Sequence, residues 1–324
     1  MFKKGNLQLV IYVDDIIARG PRAETEAFYR ELEKKFKIKD PTILTDEVAL
    51  RFLGFDIKKD GERYSIDQED AIEKFLISAE VVDKRVESPM PTAKLLYEDD
   101  NELGEEQAQQ YRSRVGSLNY FSSASRYDIA LATSRLSQKA HKPTVSAWRA
   151  MERVLQYMQC NPHVVISGVR GQGKDVMETY SDSDHGGDKP HVMRSQTGSL
   201  ILLNGVPVYW CSKKQTDTTA YSSTMAEIFA LSETVRSARL FAFRAQEMGL
   251  DITFPLNIKI DSTGARSFQR GSCVQSRTAG VVDYRDEWVK ELRDQDNIET
   301  EFVTSENNLL IYLRKKFQHI SLNI

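Results

Sequence analysis

Tyr180-Ser181-Asp182-Ser183-Asp184-His185-Gly186-Gly187-Asp188 is the most informative stretch of the chain. A run of strand-formers from Val176 to Ser181 stops on an acid and gives way to a polar loop. Aspartate is depleted in strands, so an aspartate closing an apolar strand calls for a reason. The same arrangement recurs downstream, where Ile258-Lys259-Ile260 ends on Asp261, and between the two Glu227 opens a long helical pattern.

Strands are expected at Val176 to Ser181, Thr197 to Leu203 and Val206 to Ser212. Asn204-Gly205 is a strong hairpin signal between the last two. A helix follows from about Thr224 to Met248, then a strand at Leu256 to Ile260 and a helix at Val282 to Arg293. A strand at Ile298 to Val303 and a helix from Asn307 close the series. This order of elements resembles a ribonuclease H fold, an α/β (α+β) architecture with a mixed five-stranded sheet and flanking helices.

The functional reading of Asp182, Glu227 and Asp261 is a cluster of acids for two Mg²⁺ ions. Two metals about 3.5–4 Å apart activate a water and stabilise the leaving oxygen of a phosphodiester. Mg²⁺ takes hard oxygen ligands, so no His or Cys is required. Structural readings stand beside it. Thr224 to Glu227 has the spacing of a capping box, Asp261 could cap a helix at a strand-to-helix turn, and Asp182 could simply begin a loop.

Five phrases in order resemble the ribonuclease H domain of copia-type LTR retrotransposons. They are Tyr180 to Asp188, Arg194-Ser195-Gln196-Thr197-Gly198, Trp210-Cys211-Ser212-Lys213-Lys214-Gln215, Ser222 to Glu227, and Ile260-Asp261-Ser262-Thr263-Gly264-Ala265. The resemblance implies Asp182, Glu227 and Asp261 as catalytic metal ligands, with Mg²⁺ as cofactor or Mn²⁺ in its place. It also implies RNA–DNA hybrid as substrate and the rest of a polyprotein as partner. One departure matters: the family has a fourth acid in its closing helix, and Ile311 stands there. Glu306 lies more than a turn earlier, and neither it nor Asp283 is expected to substitute.

The resemblance extends upstream. Tyr12-Val13-Asp14-Asp15 is similar to the metal-binding hairpin of reverse transcriptases, with Asp14 and Asp15 as the remnant ligands. Phe52 to Ile57, Tyr111 to Tyr120 and Arg126-Tyr127-Asp128-Ile129-Ala130 are similar to phrases that follow it in that family, although Tyr127 replaces a usual proline. Residues 1–87 are thus expected as a truncated reverse-transcriptase palm and its continuation. The proline- and acid-containing stretch 88–104 is expected as a linker, 105–170 as a helical thumb or connection region, and 171–324 as the ribonuclease H-like domain. Helices are expected at residues 23–38, 68–79, 106–122, 127–140 and 145–160, and a strand pair at Arg51 to Lys58 and Arg63 to Ile66. No acid precedes Asp14, so the chain alone is expected not to polymerise DNA.

Composition fits a globular protein with 40% hydrophobic and 28% charged residues. The net charge of −3 gives no basic excess, so nucleic-acid contact would rest on patches such as Lys34 to Lys37 or Arg314 to Lys316. Either patch also reads as a solvated face. Cys160, Cys211 and Cys273 lack zinc spacing and suggest a reducing compartment. No apolar run is long enough to span a bilayer, and the resemblance implies a cytoplasmic or nuclear setting. Gly168 to Lys174 matches a phosphate-loop spacing, but Asp175 stands where a hydroxyl is needed. The histidines show no ligand spacing, and Trp210, in a strand, is expected in a core.

The expected activity is an Mg²⁺-dependent cut of the RNA strand of RNA–DNA hybrids. Two alternatives stay open: an inactive retroelement remnant that binds nucleic acid or a protein partner, and a fragment of a complete reverse-transcriptase polyprotein.

Overall fold

The computed structural model describes residues 2–169, 174–184, 194–215, 222–270 and 284–310. Ile311, Asp283, Cys273, His185, His191, His319 and the Arg314 to Lys316 patch lie outside the described residues.

The second half is built on a five-stranded mixed sheet of β8 (Met177–Asp184), β9 (Gln196–Leu203), β10 (Val206–Lys214), β11 (Leu256–Ile260) and β12 (Ile298–Phe302). The order is β10-β9-β8-β11-β12. The first three strands are antiparallel, and β11 runs parallel to both β8 and β12. Asn204 and Gly205, at φ of 51° and 76°, make the tight hairpin between β9 and β10 that their sequence announces. A parallel neighbour needs a crossover, and α6 (Ser223–Glu247) supplies it between β10 and β11. This is the ribonuclease H-like sheet expected from the order of elements. Helices α7 (Thr263–Gln269) and α8 (Tyr284–Asp294) join α6 on one face, over a core that includes Ile201, Ile258, Leu231 and Val235. Tyr180, Leu200, Leu202 and Leu310 pack on the other face.

In the first half, β1 (Phe2–Lys4), β2 (Leu7–Tyr12) and β3 (Asp15–Arg19) form a small antiparallel sheet, followed by α1 (Arg22–Glu33). A second sheet holds β4 (Leu50–Phe52), β5 (Phe55–Asp60), β6 (Arg63–Asp67) and β7 (Ile166–Val169). The stretch Arg51 to Lys58, expected as one strand, is broken by a turn at Leu53 and Gly54, both at positive φ (52° and 81°). Gly54 also sits against Tyr120, whose hydroxyl would lie 2.6 Å from an added Cβ. Neither β1 nor β7 carries a pattern strong enough to be read in the sequence; β7 exists because β6 offers it an edge.

Helices α2 (Glu69–Ser78), α3 (Glu105–Ala124), α4 (Ala130–Ser137) and α5 (Val145–Cys160) share one apolar core. The helix expected over 127–140 is a 3₁₀ turn, Tyr127–Ile129, leading into α4. The expected linker at 88–104 does not span open solvent. Met90 and Leu96 are buried in the core of α2, α3 and α5, and the Asp99 N–H donates to Ser146 Oγ. Its prolines and acids shape a packed strap rather than a spacer.

Arg126 and Asp128, from the Arg126-Tyr127-Asp128 phrase, form a fully buried bidentate pair at 2.9 and 2.7 Å. Trp210 on β10 packs edge-on against Tyr127, with ring centroids 5.7 Å apart, and its indole N–H donates to the Ser122 carbonyl at 2.6 Å. The helical region is thereby docked onto the antiparallel edge of the five-stranded sheet. No helix among the described residues is long and apolar enough to cross a membrane.

Candidate metal centre

Parallel strands deliver their carboxyl ends to the same edge of a sheet, and ligands of open α/β sheets gather there, where strand order switches. β8 and β11 are adjacent and parallel, with Ile260 paired to Ser181. The next residues, Asp261 and Asp182, therefore meet at one edge. Glu227 joins them from the first turns of α6. One carboxylate oxygen from each of Asp182, Glu227 and Asp261 lies within 4.8 Å of the others.

Local chemistry frees these acids from the structural roles open to them in the sequence. The N-cap of α6 is Ser222, whose side chain accepts from the Met225 N–H, so Glu227 does not belong to a capping box with Thr224. The N-cap of α7 is Ser262, which accepts from the Ala265 N–H, so Asp261 is not the cap there. Asp182 lies within β8, opposite Gly198, and does not begin a loop.

Three acids in one place repel. The Glu227 carboxyl is pushed up to about 8, first by burial and then by the charges of Asp182 and Asp261; hydrogen bonding from Ser183, whose backbone N–H lies 3.3 Å away, pulls the other way. The donor set is all oxygen, which suits a hard divalent cation and would replace the proton held at Glu227.

Residues that residue type alone did not single out support this edge. Gln215, 9% exposed, donates from Nε2 to the Ala226 carbonyl at 2.9 Å and to Thr197 Oγ1 at 3.1 Å, tying the end of β10 to the turn of α6 that carries Glu227. Ser305 Oγ donates to Asp261 Oδ2 at 3.0 Å. Asn308, fully buried, donates to the Ser181 carbonyl and accepts from the Leu310 N–H. Gly264 allows α7 to approach α6: an added Cβ would stand 2.6 Å from Thr224 Cγ2. Gln215 and Gly264 do fall inside phrases that carry the family resemblance, but their contacts depend on helix placement.

Glu306 is exposed and is not part of the acid cluster. Asp14 and Asp15 are exposed on the β2–β3 hairpin, with Val13 at a φ of 54° in its turn, and no described acid, His or Cys joins them in a group of three ligands.

The sheet of order β10-β9-β8-β11-β12 thus carries these acids at the ends of β8 and β11 and on the crossover helix. The chain is similar in sequence to retrotransposon Pol polyproteins. It is 30% identical over 282 residues to the retrovirus-related Pol polyprotein from transposon RE2 of Arabidopsis thaliana, a match over 86% of this chain and 19% of that one. It is 27% identical over 309 residues to the Pol polyprotein from transposon TNT 1-94 of Nicotiana tabacum, covering 93% of this chain and 22% of the relative. The chain thus spans about a fifth of the length of these polyproteins. It is also 41% identical over 128 residues, 40% of this chain, to 88% of the secreted RxLR effector protein 161 of Plasmopara viticola. No protein-family model matches the chain.

Proposed function

We propose that the chain is a retroelement ribonuclease H that hydrolyses the RNA strand of RNA–DNA hybrids with Mg²⁺ or Mn²⁺. The observation that carries this is the convergence of Asp182, Glu227 and Asp261 from two strands and a helix, within 4.8 Å of one another. Asp182 and Asp261, on the parallel strand ends, would hold divalent cation from the sheet side, and Glu227 would complete the site from α6. A bound pair of such ions supplies Lewis acidity at the scissile phosphate and lowers the pKa of the attacking water. Without a cation, burial and the neighbouring acids favour the protonated Glu227 carboxyl, and a bound cation would displace that proton. Ser305 steadies Asp261, and the Ser183 N–H steadies Glu227. Contacts to backbone and groove shape, with the 2′-OH marking the RNA strand, would give low sequence specificity. Asp14 and Asp15 remain the proposed remnant of a polymerase site.

The competing reading is a chain that binds hybrid without cutting it, favoured by Ile311 where the family has its fourth acid. Cleavage of an end-labelled RNA–DNA hybrid by the purified chain, with Asp182→Asn as control, separates the two. Cutting that the substitution abolishes supports the nuclease. A folded chain that retains hybrid without cutting it in either metal establishes the binder.

A further inference from the structure

Three hydroxyls meet in the core directly behind the acid cluster. Ser181 on β8 and Ser199 on β9 are cross-strand partners, and Thr234 of α6 lies over them. Ser199 Oγ and Thr234 Oγ1 are 2.6 Å apart, and Thr234 Oγ1 donates to Ser181 Oγ at 3.2 Å. All three are buried, at 1%, 2% and 0% exposure for Ser181, Ser199 and Thr234. Desolvating a hydroxyl is costly unless it is hydrogen-bonded, and an apolar side chain of similar shape would avoid that cost. Packing alone therefore gives no reason to place hydroxyls there.

Their position does. Ser181 immediately precedes Asp182, and its carbonyl also accepts from buried Asn308. Thr234 is seven residues beyond Glu227 on α6, so both lie on the same helix face, about two turns apart. The buried residues of α6 include five alanines, Ala226, Ala230, Ala238, Ala242 and Ala245, beside the larger Ile228, Leu231 and Val235. The alanines let the helix lie close to the sheet, close enough for the Thr234 hydroxyl to reach both strands. Hydrogen bonds are directional where apolar contact is not.

We propose that Thr234 is a positioning residue: its hydroxyl bonds to Ser181 and Ser199 fix the register of α6 on β8 and β9 and so set the separation of Glu227 from Asp182. This rests on the metal-site reading above. Thr234 touches neither metal nor substrate and acts through the helix.

The experiment compares the full chain with Thr234→Val, which keeps shape and removes the hydroxyl, and Thr234→Ser, which keeps the hydroxyl. Two readouts are taken: Mn²⁺ affinity by calorimetry, and metal-free amide exchange of the Ser183 N–H, the donor to Glu227, relative to β9 amides. The Val variant should bind Mn²⁺ about tenfold or more weakly, as loss of support to a metal ligand does. It should also exchange faster at Ser183, and the Ser variant should restore both. If Val lowers stability alone, leaving the relative exchange at Ser183 and the Mn²⁺ affinity as in the parent, the inference is overturned and the metal site stands. A parent that fails to bind Mn²⁺ overturns the metal-site reading instead, and the Ser183 exchange then decides the role of Thr234 alone. Should Thr234→Val fail to fold, Ser199→Ala, which leaves the Thr234 side chain in place, carries the same two readouts.

Discussion

Arg135 Nη2 stands 2.7 Å from Asp184 Oδ2, joining helix α4 to the strand that carries Asp182 two residues earlier. The Arg135 side chain is 7% exposed and that of Asp184 29%, so this contact between the helical region and the sheet edge is partly desolvated. Next to it, Gln196 Nε2 donates to Ser134 Oγ at 2.8 Å and to Ser212 Oγ at 3.1 Å. The two halves of the chain are therefore coupled within a few residues of the acid cluster.

Arg135→Met should lower unfolding free energy by on the order of 2 kcal/mol. That is below the cost of breaking a fully buried pair, because Asp184 retains some water. Urea denaturation measures it, and an unchanged midpoint would show the contact to be energetically idle.

The Arg126–Asp128 pair is enclosed on both sides. Removing one partner strands a charge, so Asp128→Asn alone should cost about 3–5 kcal/mol. Replacing both by apolar residues of similar volume should restore much of that loss, which a double-mutant cycle in urea would reveal.

Glu227 holds its proton more tightly folded than unfolded, its carboxyl standing at about 8 against an ordinary value near 4.3. The folded chain thus binds more protons between those values. The stability linked to this group is full below the unfolded pKa and is lost as pH rises through about 8. In EDTA, Tm should fall across this range, and Glu227→Gln should flatten the slope. Mg²⁺ should also flatten it, because a cation takes the place of the proton. An equal slope in the variant would refute the assignment.

Gly264→Ala would put a Cβ 2.6 Å from Thr224 Cγ2 and 2.9 Å from its Oγ1. Overpacking of this kind costs about 1–3 kcal/mol. The resulting shift separates the starts of α6 and α7, so hybrid cleavage should fall with Tm. Adding Thr224→Ala removes both clashing atoms and should recover both properties.

Much of the second half was legible because its signals are local. Asn204-Gly205 names its own turn, Leu256 to Ile260 is bounded where β11 is, and the spacing of Trp148, Met151, Val154, Leu155 and Met158 marks α5 over the same residues, Val145–Cys160. The break at Leu53-Gly54 was not expected because a lone glycine inside a strand pattern fits a bulge as well as a turn; in the fold both residues take positive φ, with Gly54 close to Tyr120. The strap at 88–104 was misread because prolines and acids describe a stretch of chain in isolation, whereas Met90 and Leu96 find their core only on α2, α3 and α5.

The acids, their order and the strands and helix that bear them are written in the sequence, because residue type and hydrophobic period are properties of short segments. Thr224 and Asp261 were open to capping roles in the sequence, but α6 is capped by Ser222 and α7 by Ser262, since a shift of one or two residues in where a helix starts decides each. That Asp182, Glu227 and Asp261 meet is a matter of long-range packing, because their distance depends on which strands are parallel neighbours and how α6 lies on the sheet. That packing also decided the contacts of Gln215, Thr234, Ser305 and Asn308, whose partners lie from 11 to 127 residues away in the chain. A hydroxyl or an amide carries no mark of its partner; long-range packing supplies it.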